Sequence, residues 1–359
     1  MPDYYPWNET LTRGNADIVM VIGARGYGKT YGLRKQFIRD ARKGFRFVEI
    51  VRHKTQLKGD DAIQNGYFDK LAQDPDILKE NIMLKTQGVR AYMAERPSEK
   101  DAKPKWELIG YFVAITEAQT LKMRTFSNVK RILLDEAILE RDNPYRRYIP
   151  NEWAKVASIV DTVSRERADD NSLKPTLYLL GNAVDLTNPY FAHFGIVKEP
   201  KEGYSWHCSK TVLVHYVQNT EYSNAKLKGT VAGRMLAGSA SAGENVDNRF
   251  RTIDSGAIGK KTPNAKLQFI VVYSGRSYGV WLDLSEGYYY ITGTAKESAN
   301  VPIYALTNSD MRPNYVMIQA VRKQLQGLAD LYYLGIIRYD NEQTMNAFMK
   351  VLSTVGVRV

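Results

Sequence analysis

Residues 23–30, GARGYGKT, constrain this chain more than any other segment. Five apolar residues, 18–22, precede them as a run suited to a buried parallel strand, and a helix-compatible stretch, 29–42, follows. Strand, glycine-rich turn and helix in that order make a phosphate-binding loop. Gly23, Gly26 and Gly28 let the backbone turn its N–H groups inward, with Ala24, Arg25 and Tyr27 completing the turn at the helix N-terminus. Lys29 then reaches the β- and γ-phosphates of ATP, and Thr30 offers a hydroxyl to Mg²⁺.

About a hundred residues later, Ile132, Leu133 and Leu134 run into Asp135 and Glu136, an apolar strand ending in paired acids. Asp135 is placed to complete the metal shell directly or through water. Glu136 is suited to orient and activate a water molecule, which favours hydrolysis over phosphoryl transfer to another acceptor. After the next strand, 176–180, Asn182 sits where its amide can sense the γ-phosphate. A turn-forming role for Asn182 is the alternative.

A length of 359 residues exceeds one ordinary core, so two domains are expected. Hydrophobic content of 44% and charged content of 25% fit a soluble globular protein. No run approaches a membrane span and the N-terminus lacks a signal-peptide pattern, so a cytoplasmic protein without membrane contact is expected. Cys208 has no cysteine to pair with, and four scattered histidines do not suggest a metal site.

A formal charge of +11 points to a polyanionic partner, nucleic acid first. Basic clusters fall at Arg34, Lys35, Arg39, Arg42, Lys43 and Arg46, at Lys122, Arg124, Lys130 and Arg131, and at Arg141, Arg146 and Arg147. A strand over 45–51 ends at Arg52 and Lys54, the edge where open α/β sheets bind ligands, so either residue can face phosphate, with a solvated strand end the equal alternative. Residues 95–105 read as an exposed loop and 111–116 as a strand. Residues 151–167 read as an amphipathic helix presenting Arg165 and Arg167 at its end. Tyr4, Tyr5 and Trp7 are candidates to stack on adenine, with core packing the stronger reading.

Beyond a small, polar segment at 237–244, strands are expected at 267–273, 278–284 and 288–292, and helices at 316–331 and 342–352. A two-metal nuclease needs converging carboxylates, yet strand 267–273 carries no acid. Asp283, Glu286 and Asp310 remain available, and a lone strand-end Asp is more often a turn former.

The ordered set GARGYGKT, ILLDEAI, YIPNE (148–152), DTVSRER (161–167), GNA (181–183), NPYF (188–191) and GVWLDL (279–284) resembles the DNA-packaging ATPases of phi-29-like phages over nearly the whole chain. The resemblance implies an α/β fold: a P-loop additional-strand ATPase domain with a parallel-rich sheet over 1–220, a linker over 221–250, and over 251–359 a smaller RNase H-like domain that has lost nuclease activity. It implies a ring-forming motor, pentameric in that family, that translocates double-stranded DNA into a preformed capsid. Its station would be the procapsid portal vertex, in the cytoplasm of an infected host, with a structural packaging RNA as a further possible partner. Within that reading Glu136 is the catalytic acid, Arg165 the arginine supplied to a neighbouring subunit's site, and Lys122 a second basic residue at the same interface. An active nuclease, a P-loop phosphotransferase, a helicase and a non-hydrolysing nucleic-acid-binding component are the competing readings.

Overall fold

The computed structural model describes residues 4–13, 16–60, 62–98, 103–139, 148–165, 174–183, 188–196, 199–218, 257–298 and 300–357. The expected linker 221–250 with its small, polar segment 237–244, and Arg141, Arg146, Arg147 and Arg167, lie outside the described residues. The chain divides into two compact units, Met1–Arg251 and Thr252–Val359.

The first unit is built on a nine-stranded sheet. In chain order its strands are β1 (Ile18–Gly23), β2 (Arg46–Val51), β3 (Ile82–Gln87), β4 (Arg90–Glu95), β5 (Glu107–Ala114), β6 (Val129–Leu134), β7 (Thr176–Gly181), β8 (Gly203–His207) and β9 (Val212–Val217). Six of them, ordered β5-β2-β6-β7-β1-β9, are parallel. Antiparallel β4 and β3 close one edge and antiparallel β8 the other. The decisive feature is β7, which lies between β1, the strand feeding the loop, and β6, the strand ending in acids. That inserted strand is what makes an additional-strand ATPase sheet.

Each central strand is apolar on both faces because helices cover both. On one side α1 (Trp7–Thr12), α2 (Lys29–Ala41), α3 (Asp69–Ala72) and α4 (Pro75–Lys79) pack on Val19, Val21, Phe47, Leu133 and Leu180. On the other, α5 (Ala118–Leu121), α6 (Glu152–Ser164) and α7 (Pro189–Phe194) pack on Met20, Ile22, Ile50, Ile132 and Leu179. Alternate residues of one strand thus enter different cores, as a period of two requires.

The second unit carries a six-stranded sheet: β10 (Lys266–Tyr273), β11 (Arg276–Asp283), β12 (Tyr288–Thr292), β13 (Ile303–Ala305), β14 (Val316–Met317) and β15 (Ile337–Tyr339). An antiparallel meander, β10-β11-β12, is extended beyond β10 by parallel β13 and β14, giving the order β14-β13-β10-β11-β12 of an RNase H-like sheet, with β15 added at the far edge. The β10–β11 hairpin turns on Ser274 and Gly275, both at positive φ, the two-residue turn whose twist matches its strands. Helices α8 (Gly327–Tyr333) and α9 (Glu342–Val355) bury Leu328, Phe348, Val351 and Leu352 on this sheet.

The expected helix over 316–331 is not formed. Val316 and Met317 pair with β13 as an edge strand, Ile318–Val321 make a 3-10 turn, and helix begins only at Gly327. The apolar spacing that suggested one helix is satisfied instead by separate turns, burying Ile318 in the first and Leu328 and Ala329 in the second. The strand expected at 111–116 begins earlier, at Glu107, and gives way at Ile115 to a 3-10 turn.

Candidate active site

The loop joins β1 to α2. Gly26 and Gly28 take left-handed φ values of 85° and 81°, which only glycine adopts at no steric cost, while Gly23 stays extended as the last residue of β1. Gly23 serves by its small size instead, because a Cβ there would stand 3.3 Å from the Lys29 side chain. The Lys29 ammonium is folded into the loop, donating to the carbonyls of Gly23 (2.5 Å) and Ala24 (2.9 Å) and to Asn182 Oδ1 (3.2 Å). Asn182 follows β7, so the inserted strand is what carries this amide to the lysine.

Thr30 donates its hydroxyl to Asp135 Oδ2 at 2.8 Å, joining α2 to the end of β6 across 105 positions of sequence. These oxygens are the hard donors that Mg²⁺ prefers. Asp135 Oδ1 accepts the Glu136 backbone N–H at 2.9 Å. Glu136 is exposed and left-handed, with φ of 51°, a conformation that costs a non-glycine residue of order 1–3 kcal/mol. The β6–β7 pairing resumes beyond it, Ala137 N–H donating to the Leu180 carbonyl at 2.7 Å. Asp135 and Glu136 therefore bulge from the ladder, which lifts the Glu136 carboxylate out of the sheet.

The residue that braces this bulge is Arg52. Its guanidinium pairs with Glu152 Oε1 (3.1 Å) and donates to the Ala137 carbonyl (3.1 Å), while Tyr190 donates to the same Glu152 oxygen at 2.6 Å. Arg52 and Glu152 are buried, so Arg52 does not face phosphate as its strand-end position suggested. Lys54 is exposed but held at 2.5 Å by Glu117. The Arg52–Glu152 pair left no sequence signal because a hundred residues separate its members.

Helix α2 is fixed to the sheet by two further buried pairs. Arg34 meets Glu49 at 2.6 Å, with Tyr67 donating to the same carboxylate, and Asp40 accepts from Arg131. Burial opposes the charge on Arg34, and the Glu49 carboxylate outweighs it, so its pKa is raised. Lys35 pairs with Asp74 and Asp76, and Arg42 with Glu80. Much of the basic cluster on α2 is thus spent on positioning the loop helix.

Two of the three N-terminal aromatics pack in the core. Tyr5 and Trp7 are buried, Tyr5 N–H donating to the Tyr27 carbonyl (3.0 Å) and the Trp7 indole to the Lys29 carbonyl (2.8 Å). Tyr5 also hydrogen-bonds His215 Nδ1 at 2.7 Å. Burial pulls the His215 pKa down to about 4. Tyr4 alone of the three is exposed, at 65%.

Arg165 and Lys122 are not brought to the loop by hydrogen bond or ion pair. Helix α6 starts at the strand end bearing Arg52 and runs back along the sheet, so its 13 residues carry Arg165 about 20 Å toward the opposite edge. There Arg165 is exposed, 3.4 Å from Asp161. Lys122 follows α5 in the same layer and is also exposed.

In the second unit Asp283 and Asp310 are used by turns, while Glu286 is exposed. Asp283 accepts from Ser285 N–H (2.8 Å), Ser285 hydroxyl (2.5 Å), Glu286 N–H (3.2 Å) and the Thr262 hydroxyl. Those hydrogen bonds hold its pKa down at about 2. Asp310 accepts from Gly275 N–H at 3.1 Å and from Thr307. Among the described residues no group of three or more His, Cys, Asp or Glu converges as a metal-binding set. Nor is any helix among them long and apolar enough to cross a membrane.

Comparison with known proteins finds similarity over nearly the whole chain. The family model for podovirus DNA encapsidation protein (Gp16) matches residues 2–355. The DNA packaging protein of Bacillus phage phi29 is 31% identical over 330 residues, 91% of this chain and 90% of that protein. That of Bacillus phage B103 is 30% identical over 325 residues, covering 90% and 92%. A chain of the bacteriophage phi-29 viral genome packaging motor assembly superposes with a TM-score of 0.71 at 26% identity, covering 98% of this chain and 99% of that one. The Phi-28 gp11 DNA packaging motor shares the fold, with a TM-score of 0.62 at 19% identity. The chain thus belongs to the podovirus DNA encapsidation protein (Gp16) family.

Proposed function

We propose that this chain hydrolyses ATP at the centre formed by Lys29, Thr30, Asp135, Glu136 and Asn182, and so supplies the driving reaction of a DNA-packaging motor. The observation that carries this is the 2.8 Å hydrogen bond from Thr30 to Asp135, with Lys29 and Asn182 beside it. Residues 23–30 would hold the phosphates, and Thr30 with Asp135 would hold Mg²⁺, which neutralises charge on the phosphates when bound. Lys29 exchanges its two carbonyl acceptors for phosphate oxygens, the stronger partners for an ammonium. Glu136, raised on its bulge, orients water.

Arg165 supports a shared site. It stands at the sheet edge away from its own loop and is exposed, so a guanidinium for the phosphoryl group comes from an adjoining copy. Lys122, exposed in the same layer, is assigned to the same contact. Such an arginine is worth about 10³ to 10⁵ in rate in related systems. On this reading the copies form a ring, a pentamer by family likeness, around double-stranded DNA at the procapsid portal of the infected cell, with a packaging RNA as a possible further component. The ATPase domain spans 1–220, the linker 221–250 and the RNase H-like domain 251–359, the last without nuclease chemistry because Asp283 and Asp310 are taken up by turns.

Mixing Glu136→Gln subunits with Arg165→Ala subunits tests the scheme. Recovery of phosphate release in the mixture, where each variant alone is inactive, is the expected result. Strictly additive inactivity in an assembled sample would refute the shared site. Phosphate release that is independent of protein concentration and of double-stranded DNA would refute the motor.

A further inference from the structure

On the first unit, the β3–β4 hairpin and the loop between α5 and β6 enclose an open cleft of about 630 Å³, lined by Arg90, Tyr92, Tyr111, Arg124, Thr125 and Phe126 among others. Strand register explains why these groups share a face. Arg90 lies opposite Tyr111 on β5 and opposite Gln87 on β3, and Lys85 lies opposite Tyr92. Cross-strand partners project to the same side of a sheet. Tyr111 is held edge-on to Phe126, with ring centres 5.2 Å apart, and its hydroxyl is 3.5 Å from the Arg46 guanidinium. Lys85 adds a cation at 4.1 Å from the centre of the Trp106 ring.

The charge here is distinctive. Arg13, Arg34, Arg42, Arg52 and Arg131 each sit on a carboxylate. Arg90 and Arg124 are exposed, pair with no carboxylate among the described residues, and face a cleft without an acidic lining residue. Unpaired guanidinium groups beside tyrosine rings and hydrogen-bonding Gln87 and Thr125 are the chemistry that holds phosphodiester and an unstacked base together. A duplex keeps its bases stacked inside and offers such a cleft only its backbone.

We propose that this cleft binds single-stranded nucleic acid, Arg90 and Arg124 holding its phosphates while a base stacks against the tyrosines. The site is separate from the ATP centre and does not depend on the function assigned to it. RNA and unpaired DNA share this chemistry.

The test is fluorescence anisotropy of the full chain with a labelled 12-nucleotide DNA strand, the same sequence as RNA, and the 12-base-pair duplex, each over a range of salt. For the strands, Arg90→Ala/Arg124→Ala is expected to lose about tenfold or more in affinity and to flatten the log–log salt slope by about 1.4, two contacts at 0.7 each. Duplex binding should change less than about twofold. Arg90→Lys/Arg124→Lys should keep the salt slope while losing affinity, because lysine supplies charge without a stacking plane. Whichever strand the wild type holds more tightly names the source, and either result supports the site. Unchanged strand binding, an equal loss for the duplex, an equal loss in Arg39→Ala/Lys43→Ala on the opposite layer, or displacement of the strand by a glutamate-rich peptide of equal charge would each overturn the proposal.

Discussion

Two strand-end aspartates, Asp135 after β6 and Asp283 at the end of β11, separate the two units chemically. Asp135 is partly exposed, accepting one hydroxyl and one backbone N–H and keeping room for a further partner. Asp283 is buried and accepts four hydrogen bonds from its own turn and from Thr262. On the proposed reading the same residue at the same kind of position is a metal ligand in one sheet, and it is a structural cap in the other. What differs is the supply of local donors, and a carboxylate already saturated has little left to offer an ion.

Exchanging each acid for its amide sharpens that contrast. Asp135→Asn should lower ATP turnover by about 10³-fold or more, on the scale of other losses of transition-state charge stabilisation, with little change in melting temperature. Asp283→Asn should leave turnover per folded molecule unchanged. A phosphate-release assay that finds equal losses in the two variants would break the comparison.

Next in size is Arg52→Ala, which leaves Glu152 charged and buried without its partner and should cost about 3–5 kcal/mol. Urea unfolding monitored by circular dichroism measures it. Arg52→Met/Glu152→Leu should recover most of that loss, yet turnover should stay low, because nothing then holds the Ala137 carbonyl behind Glu136. Full recovery of both stability and turnover would mean the brace has no part in the site.

The two units should also answer acid differently. His215 is neutral and buried with a folded-state pKa near 4, below its ordinary 6.5, so the unfolded chain binds the extra proton first. Stability from this group is complete above about pH 6.5 and falls as pH drops toward 4. Asp283, depressed to about 2, contributes stability that is complete above its ordinary 3.8 and is lost only as pH falls through 2. Melting curves between pH 7 and 2 should therefore show the first unit weakening before the second, and His215→Gln should flatten the upper limb. If the limb between 6.5 and 4 is unchanged in that variant, His215 is not its cause.

The smallest effect is expected at Trp7→Phe, which removes one hydrogen bond to the Lys29 carbonyl while keeping an aromatic ring. About 1 kcal/mol of stability should be lost. A much larger loss would mean that the N-terminal segment controls the loop rather than merely covering it.

Residues 23–30 were legible in the sequence because their chemistry is local. A turn that needs left-handed backbone at Gly26 and Gly28, followed at once by Lys29 and Thr30, spells out its geometry in eight positions. The apolar runs that became β1, β6 and β7 were legible for the same reason, as was the helix that became α6. Arg52 was misread because a strand-end arginine looks the same whether it meets a ligand or a buried glutamate. The segment 316–331 was misread because an apolar spacing of three to four is met equally by one helix or by successive turns around a sheet edge.

By itself, then, the sequence determined the phosphate loop, the acidic strand end and the apolar strands between, since each depends on neighbours only a few bonds away. The tertiary structure decided which strand lies beside which. Only the insertion of β7 between β1 and β6 carries Asn182 to Lys29, and only folding carries Thr30 to Asp135. Only folding made Arg52 a buried brace and set Arg90 and Arg124 on an open cleft with no carboxylate partner among the described residues. Electrostatic partnership depends on distance through space, and in this chain Lys29 and Asn182 stand 153 residues apart and Tyr5 and His215 stand 210 apart.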